Sequence, residues 1–205
     1  MIITKEMEKA GSDRHGRLTV QTLGGDIDGF TSLLQAGIRV RVRHGSSIGA
    51  LLTSLPGFTA RYINEEVQTI FLDGSATDDL ATPLFGTTHV LAISAAMPGL
   101  AGAIFRRNSL HASLRTVNPQ SAKAETVEEV IVKLKLFNTI ARDRGKTLLR
   151  EGVWLTSADL SQFLDNRASL IAKITDLVID GTAVPASGLM AILPQFDTVR
   201  LTFTC

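Results

Sequence analysis

The stretch Ile38-Arg-Val-Arg-Val-Arg43, followed by His44-Gly-Ser-Ser47, Ile48-Gly-Ala-Leu-Leu-Thr-Ser-Leu55 and Pro56-Gly57, decides how the chain is read. Three apolar residues alternate with three arginines, the period-two pattern of a strand with one face buried and the other in water. His44 to Ser47 punctuates the chain, and Ile48, Leu51, Leu52 and Leu55 then recur at helical spacing, a short helix. Pro56-Gly57 ends that helix. Upstream, Leu18-Thr-Val-Gln-Thr-Leu23 reads as an earlier strand that stops at Gly24-Gly25. Downstream come the strand Thr69-Ile-Phe-Leu72, the turn Asp73-Gly74, a polar stretch to Thr82-Pro-Leu84, and a strand from His89 to Ile93. Strands joined by a helix that covers their apolar face make a two-layer α+β unit.

The same order returns in the second half. Val130 to Phe137 alternates through Lys133 and Lys135, and a polar loop with Arg142, Arg144 and Gly145 leads to a strand from Thr147 to Trp154. Thr156-Ser157 caps a helix with Leu160, Phe163, Leu164, Ile171 and Ile174 on one face. Leu177-Val-Ile179 runs into Asp180-Gly181, and the chain closes on Val199 to Phe203. The two Asp-Gly turns are 107 residues apart and the closing strands, counted from Val90 to Val199, are 109 apart. Such an internal repeat predicts a first domain over 1–95, a connector over 96–125 and a second domain over 126–205. The alternative is one α+β domain with a larger sheet.

Two strands, a helix and then further strands resembles the β-grasp (ubiquitin-like) order, a mixed sheet of four or five strands under one helix. The fold expected is therefore α+β, two tandem β-grasp domains. The run Ile131 to Phe137, the Arg/Gly loop, the capped helix, Val178-Ile-Asp-Gly181 and the closing strand resemble the molybdopterin synthase small subunit. The strand Ile38 to Arg43, the helix after Ser47, Leu72-Asp-Gly74 and Thr82-Pro-Leu-Phe-Gly86 resemble the thiamine sulfur carriers.

That resemblance implies a flexible C-terminal Gly-Gly whose carboxylate is adenylated and converted to a thiocarboxylate. Glycine is required because the tail threads as bare backbone into a narrow site. The chain departs from the pattern, ending in Leu201-Thr-Phe-Thr-Cys205 with no glycine. In the first copy Ala96-Met-Pro-Gly-Leu-Ala-Gly102 stands where the tail is expected, with Pro98, Gly99 and Gly102 as its tail-equivalent residues, but more chain follows. The leading expectation is a non-catalytic sulfur-carrier-like protein that binds a protein partner. The resemblance points to an activating enzyme or a metal-cofactor oxidoreductase component, in molybdenum or tungsten cofactor metabolism or in sulfur transfer. The alternatives are a carrier activated by proteolysis near Gly102, and a small enzyme with a site of unfamiliar type.

Composition narrows the classes. The chain has 205 residues, 44% hydrophobic and 20% charged, with a net charge of +1, which gives no bulk attraction to nucleic acid or anionic lipid. The single Cys205 leaves no intrachain disulfide and no cysteine-based zinc site, and suits a cytoplasmic location. Met1 to Arg17 carries Glu6, Glu8 and Asp13 and does not read as a secretory signal. The 16 uncharged residues from Val90 to Phe105 are broken by Pro98-Gly99 and fall short of the roughly 20 a spanning helix needs.

Candidates for chemistry are few. His15, His44, His89 and His111 have no metal-ligand spacing, so neither metal nor cofactor is expected. Gly24-Gly25-Asp26 reads as a turn, and the acidic pairs Glu65-Glu66 and Asp78-Asp79 as solvated charge. Partner contact is assigned to Arg39, Arg41 and Arg43 on one strand face, and to Arg106 and Arg107 in a connector of net charge +3. The connector's apolar start predicts a helix over 99–114 with Leu100, Ala103, Ile104 and Leu114 inward, and a hinge between Thr116 and Glu125.

Overall fold

A computed structural model describes residues 14–115 and 127–204. The strands are β1 (His15–Thr22), β2 (Ile38–Arg43), β3 (Thr69–Leu72), β4 (Ser75–Ala76), β5 (Thr88–Ser94), β6 (Glu129–Phe137), β7 (Val153–Thr156), β8 (Ile174–Ile179), β9 (Thr182–Ala183) and β10 (Thr198–Thr204). The α-helices are α1 (Ile48–Thr53), α2 (Ala60–Glu66), α3 (Gly99–Phe105), α4 (Asn138–Glu151), α5 (Ser157–Asp165), α6 (Ala168–Ile171) and α7 (Leu189–Ile192). All ten strands join one mixed sheet in the order β4-β3-β5-β6-β2-β7-β10-β1-β8-β9. The architecture is α+β.

Read inward from either edge, the sheet repeats itself. The pairs β4–β3 and β3–β5 are antiparallel, β5–β6 is parallel and β6–β2 antiparallel. From the other edge, β9–β8 and β8–β1 are antiparallel, β1–β10 is parallel and β10–β7 antiparallel. The two blocks of five meet at one bridge, Arg39 to Trp154. Each block, however, contains one strand from the other half of the sequence. β6 lies between β5 and β2, and β1 lies between β10 and β8.

The core follows from strand alternation. Leu91 and Ile93 of β5, Val132 and Leu134 of β6, and Ile38 and Val40 of β2 are buried on one face. In the other block Leu18 and Val20, Val199 and Leu201, and Leu177 and Ile179 do the same. Ser47 caps α1, its hydroxyl accepting the Ala50 N–H at 3.1 Å, and Thr156 caps α5 as expected, accepting the Asp159 N–H at 3.0 Å.

Several sequence expectations are corrected. The stretch around Arg142, Arg144 and Gly145 is no loop, and Thr147 to Glu151 is no strand; both belong to α4. The apolar residues Ile140, Ala141, Leu148 and Leu149 of α4 are buried at helical spacing. Gly145 lets α4 cross the 3-10 segment Asp28–Gln35 closely, since a Cβ there would sit 3.0 Å from Leu34 and Thr31. The helix expected from Thr156 to Ile174 breaks near Asn166 and Arg167 into α5 and α6, and Ile174 opens β8.

The segment after β5 also differs. A helix forms over Gly99–Phe105, and only a short 3-10 turn, Ala112–Leu114, follows. Leu100 and Leu114, expected inward, are 74% and 65% exposed. Arginines fasten the segment instead. Arg107 donates to the carbonyls of Ile63 and Val67, while Arg115 donates to those of Ile104 and Arg106 and to Asp78. The hinge expected between Thr116 and Glu125 falls outside the described residues, as does Cys205.

Candidate functional site

The polar face of the central strands gathers charge that the linear sequence scatters. Residues paired in register share a face of the sheet. Arg17 of β1 pairs with Arg200 of β10, Arg200 with Trp154 of β7, Trp154 with Arg39 of β2, Arg39 with Lys133 of β6, and Lys133 with Val90 of β5. One row across six strands thus carries four cations flanking a tryptophan. Arg41 and Arg43, two and four residues on from Arg39, stay on the same face, as does Lys135 beside Lys133.

Local geometry fixes this row. Gly37 stands opposite Lys135, one residue before β2, at φ 111°, a backbone conformation that disfavours a side chain. A Cβ there would meet the Lys133 chain at 2.7 Å. Lys133 crosses this gap and reaches Asp159 at 2.9 and 3.0 Å. Asp159 also accepts the Thr156 hydroxyl at 2.7 Å, which fixes the carboxylate at the start of α5. Arg41 pairs with Glu129 at 3.3 Å, and Arg200 donates to the Glu151 carbonyl at 2.9 Å. Trp154 is 3% exposed, with the His15 ring edge-on at 5.7 Å. The Nε atoms of Arg41 and Arg200 are buried without a hydrogen-bond partner among the described residues.

The other residues singled out from sequence lie elsewhere. Arg39, Arg41 and Arg43 come together with one another. Arg106 and Arg107 sit beside the start of β3, where Arg106 donates to the Gln68 side chain at 2.9 Å and Arg107 is committed to main-chain carbonyls. Pro98 is the N-cap of α3, Gly99 its first residue at φ 74°, and Gly102 lies buried inside it. A Cβ at Gly102 would fall 1.7 Å from the Met97 carbonyl oxygen, so the tail-equivalent stretch is closed helix packed on its own entry.

Sequence reasoning missed Arg17, Lys133, Lys135, Trp154 and Arg200 as members of this face. Lys133 and Lys135 were visible as the polar half of an alternating strand, and Arg200 as the polar residue between Val199 and Leu201. Nothing in the sequence gave the register that lines them up.

The histidines do not converge. His89 lies between Asp73, at 2.6 Å, and the Phe85 carbonyl, at 2.5 Å. His44 packs against the Phe85 ring. No group of three or more His, Cys, Asp or Glu among the described residues is placed to hold a metal ion. No helix among them is long and apolar enough to cross a membrane. An open groove of ≈ 780 Å³ runs between the 3-10 segment Asp28–Gln35 and α4, lined by polar residues including Arg142 and Lys146. Lys146 is paired with Asp28 at 2.6 Å. Comparison with protein-family models, with curated proteins and with solved structures finds no match.

Proposed function

We propose that the protein acts by binding a protein partner through the polar face of its sheet, as a non-catalytic relative of the β-grasp sulfur carriers. The observation that carries this reading is the gathering of Arg39, Arg41 and Arg43 with Lys133 and Lys135 on one face, from strands belonging to different copies. Two mixed blocks of five strands, each with one parallel pair and an Asp-Gly hairpin at its outer edge, support the tandem β-grasp comparison. Carrier chemistry is not part of this reading. Releasing a carboxylate at Gly102 would require cutting inside α3.

An activating enzyme or a metal-cofactor oxidoreductase component is the partner class that the resemblance suggests. The test mixes full-length protein with candidate activating enzymes and with such oxidoreductase components, measuring binding and intact mass. The reading expects a complex with the mass of the chain unchanged. A new terminal thiocarboxylate on a shortened chain replaces it with the processed carrier, and binding to none of the candidates removes the sulfur and cofactor setting.

A further inference from the structure

We infer that the cationic face of β2, Arg39, Arg41 and Arg43 beside Lys133 and Lys135 of β6, docks an extended acidic polypeptide, laid along β2 with carboxylates on its alternate residues. This rests on the partner-binding reading and names the partner's chemistry.

Like charges directly opposite each other on neighbouring strands repel and lower stability. On the face that meets the ligand, Arg39 of β2 stands opposite Lys133 of β6. The chain's net charge is only +1, so the concentration of cations here is local. Among the described residues of β5, β6 and β2, this face carries Arg39, Arg41, Arg43, Lys133 and Lys135 against Glu129, with Asp159 reaching in from α5. An anionic ligand along β2 meets this local excess of cations and gains from it.

The spacing selects the kind of anion. Arg39, Arg41 and Arg43 follow one another at about 6.6 Å, two residues of strand. A second extended chain with an acid at every other residue repeats at the same interval. Beside the cations, Val90 is 41% exposed and Ile131 is half-buried on the same face, giving apolar contact for the intervening side chains of such a segment. Nucleic acid fits less well. Trp154, the one aromatic ring in the row, is 3% exposed and offers no face for a base to stack upon.

The experiment uses full-length protein and follows Trp154, the only tryptophan, by fluorescence as ligands are added. The probes are a short peptide of alternating Glu and Val, the same peptide with Gln for Glu, and oligothymidylate of matching charge. Saturable, salt-sensitive binding of the Glu peptide alone is expected. Replacing Arg43→Glu and Lys135→Glu together, at positions that leave the Lys133–Asp159 pair intact, should weaken it about tenfold or more. An unchanged far-UV spectrum and melting temperature show that the variant is folded. Equal binding of the Gln peptide, tighter binding of oligothymidylate, or no loss in the folded double variant overturns the inference. A partner protein that binds wild type and the double variant equally also overturns it, yet leaves the partner-binding reading standing.

Discussion

Asp73 and Asp180 make the same pair of contacts in the two blocks of the sheet. Each occupies a left-handed conformation, φ 50° and 48°, and is followed by a glycine at φ 82° and 84°. Asp73 accepts the Val90 N–H on its carboxylate at 2.8 Å and donates its own N–H to the Val90 carbonyl at 2.9 Å. Asp180 does the same with Arg17, at 2.8 and 3.0 Å. Both turns have positive φ at the two central residues, the form whose twist suits a two-residue hairpin. Structurally, then, Val90 of β5 corresponds to Arg17 of β1.

Replacing Asp180 by alanine removes one hydrogen bond to the neighbouring strand, replacing Asp73 removes two, to Val90 and His89, and both keep a strained φ. Asp73→Ala or Asp180→Ala should each cost about 1–3 kcal/mol in urea unfolding. Asp→Gly at the same site should cost less, since it loses the bond but relieves the backbone. If Ala and Gly prove equal, φ strain contributes nothing there.

The Asp-Gly turns were legible because their chemistry is local, and so were β2, β3, α5's threonine cap and the alternation of β6. What stayed hidden depends on partners distant in sequence. Counting along the chain matches Val90 to Val199, whereas the hydrogen bonds match it to Arg17, because β1 occupies the place next to β8 that a closing strand was expected to take. Alternation within β1, β6 and β10 is indifferent to which neighbour each takes. Gly145 resembled a loop residue because the Leu34 and Thr31 that press on α4 are more than a hundred residues away. The cationic row failed to emerge for the same reason, since five strand registers must be known before it exists.

Because each block takes one strand from the other half of the sequence, the two halves of the chain depend on each other. A fragment of residues 1–125 lacks β6, so β5 and β2 lose the strand between them. A fragment of residues 126–205 lacks β1, so β10 and β8 lose theirs. Each alone should show poor amide dispersion and no cooperative melt, while mixing the two should restore a folded complex. A sharp, cooperative melt for either fragment by itself would mean that its strands re-pair within one copy.

Gly37 tests how the row is held. Gly37→Ala places a Cβ against Lys133 and forces an unfavourable positive φ. The lysine must leave Asp159 or the turn must move. A loss of about 1–3 kcal/mol is expected, accompanied by a change in Trp154 emission. The double variant Gly37→Ala with Lys133→Ala should recover part of that loss, because the smaller side chain removes the collision. No recovery would assign the whole effect to the backbone.

Tyr62, the only tyrosine, reports on the contact between α2 and α4. Burial pushes its phenol above the usual 10, with Asp143 adding to the rise, while Arg144, whose guanidinium lies 3.7 Å from the ring centre, opposes it. The native state therefore keeps a proton that the unfolded chain gives up first. Stability is fully present below pH 10 and should fall as pH climbs above it. Phenolate absorbance should appear later in the native protein than in denaturant, and Arg144→Met should delay it further. An earlier onset in Arg144→Met would mean that the arginine's role there is to keep the ring buried.

The last expectation concerns how residues 99–115 keep leucines in water without coming loose. Their anchors are polar: the Arg115 side chain is 8% exposed and its guanidinium meets Asp78 at 2.7 Å. It also donates to the Ile104 carbonyl at 2.8 Å and to that of Arg106. One planar group with several donors thus ties three points of the segment together. Arg115→Lys keeps the charge but supplies a single nitrogen, which cannot hold all three acceptors. Removing a buried charge partner costs more than the pair contributes, so Arg115→Met should open the segment locally by a few kcal/mol. Asp78→Asn keeps the carbonyl contacts and should open it less. Hydrogen exchange of the Arg106 and Arg107 amides reads this directly, because the first donates to Gly102 and the second to Gln68. Faster exchange at both in Arg115→Met, with β5 and β6 unchanged, is the expected result. If both amides stay protected, the Phe71–Phe105 ring contact, at 5.2 Å, is the stronger anchor, and Phe105→Ala should then release the segment where the arginine variant did not.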